Sequence, residues 1–392
     1  MATIKLPIHV VKTLNQLTKA GFLAFVVGGA VRDILLGKYP LDYDIATSAK
    51  PEEIKNLFPN TLSYGEKHGT ITVQTEAGTI EVTTFRKDGS YEKHRRPETV
   101  CFVEDLHSDL ARRDFTINAM AVDISGNVID PFDGKGDLSA KIIRTVGGAD
   151  KRFSEDALRL FRALRFAAKL GFAIETNTHL AIQANAHLAK HLSAERVQAE
   201  LLGILQSDRP QQIKQVFDYG LLDGFLADES PEITYPLTVL TQFQADKTLL
   251  WVAFLYATGL SAKVLENLRL DKKTIRLAEK VSALKQDGIA EEKVKLKQHL
   301  FCFGQVAVTI ALQLEDVFTD SEKQAMLGEI LAKGEPYLAS HLAIQSKDII
   351  EIGRSGKEIG DSLTALVWHV IKHPEHNTKE KLLALIEHGT EF

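Results

Sequence analysis

The sequence predicts an α+β protein, with a mixed five-stranded head at the N-terminus followed by helices to the end of the chain. Three observations carry that reading. Up to about residue 145, short β-branched and aromatic runs alternate with turns. From about Ser154 onward apolar residues recur every three or four positions. The 392 residues also exceed the ~100–200 that one domain holds.

The runs AFVV (24–27), DYDIAT (42–47), GTITVQT (69–75), TIEVTTFR (79–86) and AMAVDI (119–124) read as the five strands. Between them, AVRDILLG (30–37) reads as a short helix stopped by Gly37. PEEIKNLF (51–58) reads as a second, started by Pro51 with Glu52 and Glu53 in its first turn. Ala77-Gly78 between two strands predicts an antiparallel hairpin with a two-residue turn. Farther on, Leu158, Phe161 and Leu164, then Val197, Leu201 and Ile204, then Val306, Ile310 and Leu314 mark helix faces, and 154–172 reads as one helix. Gly, Pro, Asp and Ser collect at 207–210, 228–236, 286–289, 334–336 and 373–377, where helices should break. The expected partition is a head (1–150), a neck (151–208), a body (209–310) and a tail (311–392), with no fixed-period repeat.

Composition narrows the function classes. With 44% hydrophobic and 25% charged residues the chain is neither disordered nor fibrous. The longest apolar stretch, Leu249 to Leu260, is too short for the ~20 residues of a membrane span, so a buried helix with Trp251–Tyr256 in the core is expected. The N-terminus lacks the pattern of an export signal, which predicts a cytoplasmic protein without a membrane partner. Cys101 and Cys302 are too few and too far apart for a disulfide framework or a CxxC metal site. The net charge is −5, so any nucleic-acid surface must be a local concentration of Lys and Arg.

Such a concentration exists, next to residues able to do chemistry. Gly28-Gly29 joins a strand to a helix, and paired glycines before a helix N-terminus let backbone N–H groups approach a phosphate. The spacing is not GxGxxG, which argues against a dinucleotide fold. Asp42 and Asp44 are two apart in a strand, so both carboxylates would face one side with backbones roughly 6.5–7 Å apart. Carboxylates so placed repel unless a cation lies between them; oxygen-only ligands favour Mg²⁺, and two ions ~3.5–4 Å apart serve in-line displacement at phosphorus. An isolated DxD also occurs as a turn or helix cap. Glu81, on the strand face opposite Ile80 and Val82, is a candidate third carboxylate. Residues 151–170 hold six basic and two acidic side chains, and Asp156, Arg159, Arg162 and Arg165, spaced by three, form a slanted ridge along a helix. Taken alone, that ridge reads better as a solvated face with an Asp156–Arg159 pair.

GGAVRDILLG…LDYDIAT, then RRDFTINAMA, then EDALRLFRALRFA, in this order and at this spacing, resembles the class II tRNA nucleotidyltransferases, the CCA-adding enzymes, of the polymerase-β-like superfamily. The resemblance runs from about residue 20 to 210, and SKDIIEIGRSGKEIGDSLTALVWHVI (346–371) is similar to the family's C-terminal region, with Gln345-Ser346-Lys347-Asp348 where the family more often has Asn-Gly before the aspartate. It implies a nucleotidyltransferase head with Mg²⁺ on Asp42 and Asp44, and with Gly28, Gly29 and Arg32 at the nucleoside triphosphate. It also implies Arg113 on the nucleotide, with Asp114 and Asn118 near its ribose. Asp156 and Arg159, with Glu155 beside them, would recognise the incoming base, and Arg162 and Arg165 would hold its phosphates.

The base assignment has a physical rationale. Cytosine and adenine present an amino donor beside a ring-nitrogen acceptor, whereas uracil and guanine present the reverse. A carboxylate beside a guanidinium therefore accepts C and A, at roughly 1–3 kcal/mol for each missed bond otherwise. The implied reaction is attack of a tRNA 3′-hydroxyl on the α-phosphate of CTP or ATP, with pyrophosphate leaving.

Three rivals are separated by sequence. A bacterial poly(A) polymerase carries a basic GRRF-like stretch where this chain has Tyr64-Gly-Glu-Lys-His-Gly-Thr70. A CC-adding variant has a shortened loop where the segment between Arg86 and Arg112 is long and charged. A non-catalytic helical RNA-binding protein with a degenerate head would not keep Asp42, Asp44, Arg159 and Arg162. No His-Asp dipeptide signals an appended phosphohydrolase, and His369, His373, Glu375 and His376 read as a solvated helix end because Pro374 interrupts the helix. The sequence does not choose between a monomer and a homodimer.

Overall fold

The computed structural model describes residues 4–88, 100–289, 292–319 and 323–387. Part of the charged segment between Arg86 and Arg112, residues 89–99, lies outside the described residues. The described chain forms two compact units, Met1–Ala227 and Asp228–Phe392.

In the first unit the β-branched runs pair into a mixed sheet of seven described strands: β1 (Ala24–Val27), β2 (Asp44–Thr47), β3 (Thr61–Leu62), β4 (Thr70–Thr75), β5 (Gly78–Thr84), β6 (Ala121–Val122) and β7 (Val128–Ile129). Their order is β3-β4-β5-β2-β1-β6-β7, with β2 and β5 parallel and the other neighbours antiparallel. All five expected strands form. The two additions are edge strands of two residues each, too short to leave a periodic signal. The strand expected at 119–124 shrinks to Ala121–Val122 because Asp123 Oδ1 takes the amides of Ser125 (2.8 Å) and Asn127 (2.9 Å) and turns the chain. The hairpin turn lies one residue earlier than expected: Thr75 pairs with Gly78, and its hydroxyl accepts from the Ala77 amide and donates to the Gly78 carbonyl.

Side chains two apart on a strand, and those in register across strands, share a face. Phe25, Val27, Asp44, Ala46 and Glu81 therefore point to one side of the sheet. There Val27 and Ala46 join Phe85, Leu110, Ala119 and Val146 in a buried cluster, and Asp44 and Glu81 continue its row. Helices α1 (Ile8–Lys19), α2 (Gly29–Leu35) and α3 (Pro51–Leu57) pack on the sheet, with Val10, Leu14, Leu17, Val31 and Ile54 fully buried. Pro51 sits in the first turn of α3, and Glu53 Oε2 accepts from the Lys50 amide at 2.7 Å.

The helix expected over 154–172 is two helices, Ala149–Glu155 and Leu158–Leu170. Asp156 breaks it with an extended backbone (φ −138°, ψ 104°), and its Oδ1 accepts from the Leu158 amide at 3.1 Å, closing a local turn just before the second helix. The expected limit at 208 falls inside the first unit.

In the second unit, helix Lys247–Thr258 is buried continuously from Leu250 to Thr258, the core helix that the apolar run predicts. Helix Gln305–Thr319 runs through the expected limit at 310. Helix Lys357–Lys372 ends before Pro374, where His369 Nε2 lies 2.8 Å from His376 Nδ1. No described helix is long and apolar enough to cross a membrane.

Candidate active site

The site grows from the turn between β1 and α2. Gly28 has φ +74° and ψ −135°, a conformation residues with side chains rarely adopt. A Cβ there would stand 3.1 Å from Arg113 Nη1 and 3.6 Å from Asp44 Oδ2, so the missing side chain lets a cation and an anion close over the backbone. Gly28→Ala is expected to lower stability by about 1–3 kcal/mol and to raise KM for a nucleoside triphosphate about 10-fold, checked by urea denaturation and steady-state kinetics.

Asp44 begins β2 beside Glu81 in parallel register. Asp42, expected in the same strand, lies in the exposed loop before it. Burial, then the charge of Glu81, with Asp42 adding to them against Arg113, pushes the Asp44 carboxyl up to about 6. Among the described residues no three His, Cys, Asp or Glu side chains are arranged to hold one metal ion by themselves. A cation reading therefore rests on the Asp42–Asp44 pair, with Glu81 acting on Asp44 through its charge. The pair fits: its mutual repulsion is what a divalent ion would relieve, and all its donors are hard oxygens.

Asp109, fully buried, holds the second motif in place. Its Oδ1 accepts from Arg112 Nε (3.0 Å) and Nη2 (2.8 Å), and its Oδ2 from Arg113 Nη2 (3.1 Å). Burial would raise its carboxyl, but the two guanidiniums outweigh that and keep it low. Asp114 is the next anchor. Its Oδ1 accepts from the Phe115 amide (2.8 Å) and Asn118 Nδ2 (3.2 Å), and its Oδ2 from Arg162 Nε (2.8 Å) and Nη2 (2.6 Å). Against burial, Arg162 above all, with Arg159 and Asn118, holds this carboxyl at about 2. Asn118 Oδ1 in turn accepts from Arg32 Nη1 at 2.8 Å, which ties α2 to the same network.

The third motif differs from the expected ridge. Asp156 pairs with Arg196 rather than with Arg159, through Nη2 at 3.1 and 2.8 Å from its two oxygens. Arg159 instead donates to Glu155 (2.9 Å) and to the carbonyls of Arg152 and Arg112. Arg165 turns to Glu200 at 2.5 Å and lies 4.4 Å from the centre of the Phe166 ring; it does not line the cleft. Arg32 and Arg162 stand over the same ring at 5.2 and 5.3 Å, so one aromatic ring contacts three cations.

A cleft of about 370 Å³ collects most of these groups: Gly28, Gly29, Arg32, Asp44, Arg113, Asp114, Asn118, Asp156, Arg159 and Arg162 all line it. Asp42, Glu81, Glu155 and Arg165 do not. Arg112, Leu158, Phe166 and Arg196 line it as well, and sequence reasoning missed them. Arg112 was open to inspection as half of the Arg112-Arg113 pair, whereas Arg196 is a single cation on a distant helix with no local signal. Six arginines thus face three aspartates, an excess of positive charge suited to a triphosphate.

The family described as "Poly A polymerase head domain" matches residues 24–144, and "Probable RNA and SrmB- binding site of polymerase A" matches 171–235. The chain is 37% identical over 388 residues to the CCA-adding enzyme of Geobacillus thermodenitrificans (95% of this chain, 94% of that protein). It is 35% identical over 401 residues to that of Lactobacillus helveticus (98% of each). The crystal structure of the Bacillus stearothermophilus CCA-adding enzyme in complex with CTP is similar with a TM-score of 0.79, at 34% identity over 98% of both chains.

Proposed function

The chain belongs to the family of CCA-adding enzymes, and from that premise we propose that it builds and repairs the 3′-terminal CCA of tRNA, transferring CMP and AMP from CTP and ATP to the RNA 3′-hydroxyl with release of pyrophosphate. The observation that carries this reading is the convergence of Asp44, Arg113, Asp114, Asp156, Arg159 and Arg162 on one cleft from three separated sequence motifs. Its substrates imply a cytoplasmic location.

Nucleotidyltransferases of this kind use a divalent cation, which we assign as Mg²⁺ on Asp42 and Asp44; when bound it supplies Lewis-acid charge to the attacking hydroxyl and the α-phosphate. The protein's own groups do the positioning. Arg113 and Arg162, fixed by Asp109 and Asp114, neutralise the triphosphate and the departing pyrophosphate. The 3′-oxygen forms its bond to the α-phosphorus as the bond to the bridging oxygen breaks, so no covalent enzyme intermediate is needed. Asp156, steadied by Arg196, and Arg159, steadied by Glu155, offer an acceptor and donors to the base edge. Glu155, Arg165 and Glu200 serve as supports outside the cleft rather than as ligands.

The test is to incubate the protein with Mg²⁺, a tRNA lacking its 3′ end and the nucleoside triphosphates, singly and together, and to sequence the products. Addition of C, C and A followed by a stop is expected, with UTP and GTP used at least about 100-fold less well. Long A tracts would mark a poly(A) polymerase, a stop after CC the CC-adding variant, and no product a non-catalytic RNA-binding protein.

A further inference from the structure

The loop that delivers Asp42 and Asp44 to the site carries two side chains whose exposure has no structural explanation. α2 closes at Gly37 (φ +72°), and the chain then runs Lys38-Tyr39-Pro40-Leu41 into Asp42. Tyr39 is 98% exposed and Leu41 100% exposed, the two most exposed large hydrophobic residues among those described. Scattered apolar residues on a surface need no account. These two, however, flank a rigid proline and stand immediately before the carboxylates where the reaction takes place. At ~3.3–3.6 Å per residue, Tyr39 lies within about 10 Å of Asp42 along the backbone. Neither side chain lines the arginine-rich cleft, so neither is placed to touch the incoming nucleotide.

We propose that Tyr39 and Leu41 form a stacking platform for the 3′-terminal base of the tRNA being extended. The proposal rests on the reading of the protein as a CCA-adding enzyme. In that reaction the terminal ribose must bring its 3′-hydroxyl to Asp42 and Asp44, which leaves the base on that ribose within reach of the loop. The base also changes at each step, from whichever nucleotide precedes CCA to a cytosine and then to a second cytosine. Hydrogen-bond readout would favour one step over the others, whereas an aromatic ring and an aliphatic side chain accept any base through its π-face. The exposed ammonium of Lys38, beside Tyr39 in the chain, suits the backbone phosphate on the 5′ side of such a base. Pro40 fixes φ between the two contacts and lowers the entropy lost when the loop receives the RNA.

The experiment uses the full chain and a CCA-less tRNA with 2-aminopurine as its last base, comparing wild type with Tyr39→Ala, Leu41→Ala, the double variant and Tyr39→Trp. The double variant is expected to raise KM for tRNA about 10-fold and to lose most of the 2-aminopurine quenching seen on binding, with KM for CTP within about 2-fold of wild type. Tyr39→Trp is expected to retain both tRNA KM and quenching. Unchanged quenching and tRNA KM in the double variant, or a rise in CTP KM equal to the rise in tRNA KM, would overturn the platform. A wild-type protein that adds no nucleotide would instead overturn the functional reading beneath it.

Discussion

Asp44→Asn is expected to reduce nucleotide addition at least about 10³-fold, ~4 kcal/mol of transition-state stabilisation, while making the metal-free protein more stable above pH 6. The activity loss follows from removing one of the two carboxylates to which the proposed cation is assigned, at the point where β2, β5 and the Gly28 turn meet. The stability gain follows from the same geometry. Burial and the charge of Glu81 lift the folded-state carboxyl to about 6 from an ordinary value of 3.8, so between those values the folded protein binds the proton that the unfolded chain has released. Stability of the metal-free wild type therefore falls as pH rises from about 4 to about 6 and stays lower beyond, by roughly 3 kcal/mol. The amide cannot ionise and escapes that loss. Urea denaturation at pH 4 and pH 7.5 with a chelator should show the two proteins equal at the lower pH and the variant ahead at the higher. Adding Mg²⁺ should stabilise the wild type and leave the variant unmoved. A variant that retains turnover would remove Asp44 from the chemistry, and one that loses stability at pH 7.5 would contradict the electrostatics.

The sequence disclosed this site unevenly, and the unevenness has physical causes. Gly28 and Asp44 were legible because strand alternation and a glycine turn are local; parallel register sets Asp44 against Glu81, which stays outside the cleft. The helix through residue 156 was misread because the Asp-Ala break leaves the apolar spacing of its flanks intact. The break lies in the extended backbone of Asp156, whose side chain takes the Leu158 amide and reaches Arg196 forty residues away. Spacing by three placed Arg165 with Arg162, yet tertiary packing decides which of them faces the cleft. Glu200 draws Arg165 away, while Asp114 draws Arg162 in. Anchors such as Asp109 carried no signal at all, since one aspartate before a basic pair looks like an ordinary surface helix until its burial is known.

Arg162→Met should separate the two duties of that arginine by their dependence on pH. In the wild type, burial opposes the Asp114 charge, but Arg162 overrides it and holds the carboxyl at about 2, below its ordinary 3.8. Asp114 therefore contributes stability that is fully present above about pH 4 and is lost as pH falls through about 2. Without the guanidinium, Oδ2 of Asp114 loses both arginine donors and burial governs, so ionisation of Asp114 now opposes folding. The difference in stability between the two proteins should be small below about pH 2 and grow to about 2–3 kcal/mol at pH 7, a value kept modest because Arg162 is one-third exposed. Adding Asp114→Asn to Arg162→Met should recover most of that stability, because the uncompensated charge is gone. It should not recover activity, expected to stay about 10²-fold down for want of the cation on the triphosphate. Arg162→Lys should fall between, since an ammonium cannot reproduce the two donors that Asp114 accepts. Recovery of turnover in the double variant would show that Arg162 acts only as a structural partner of Asp114, and that the phosphates are held by other arginines of the cleft.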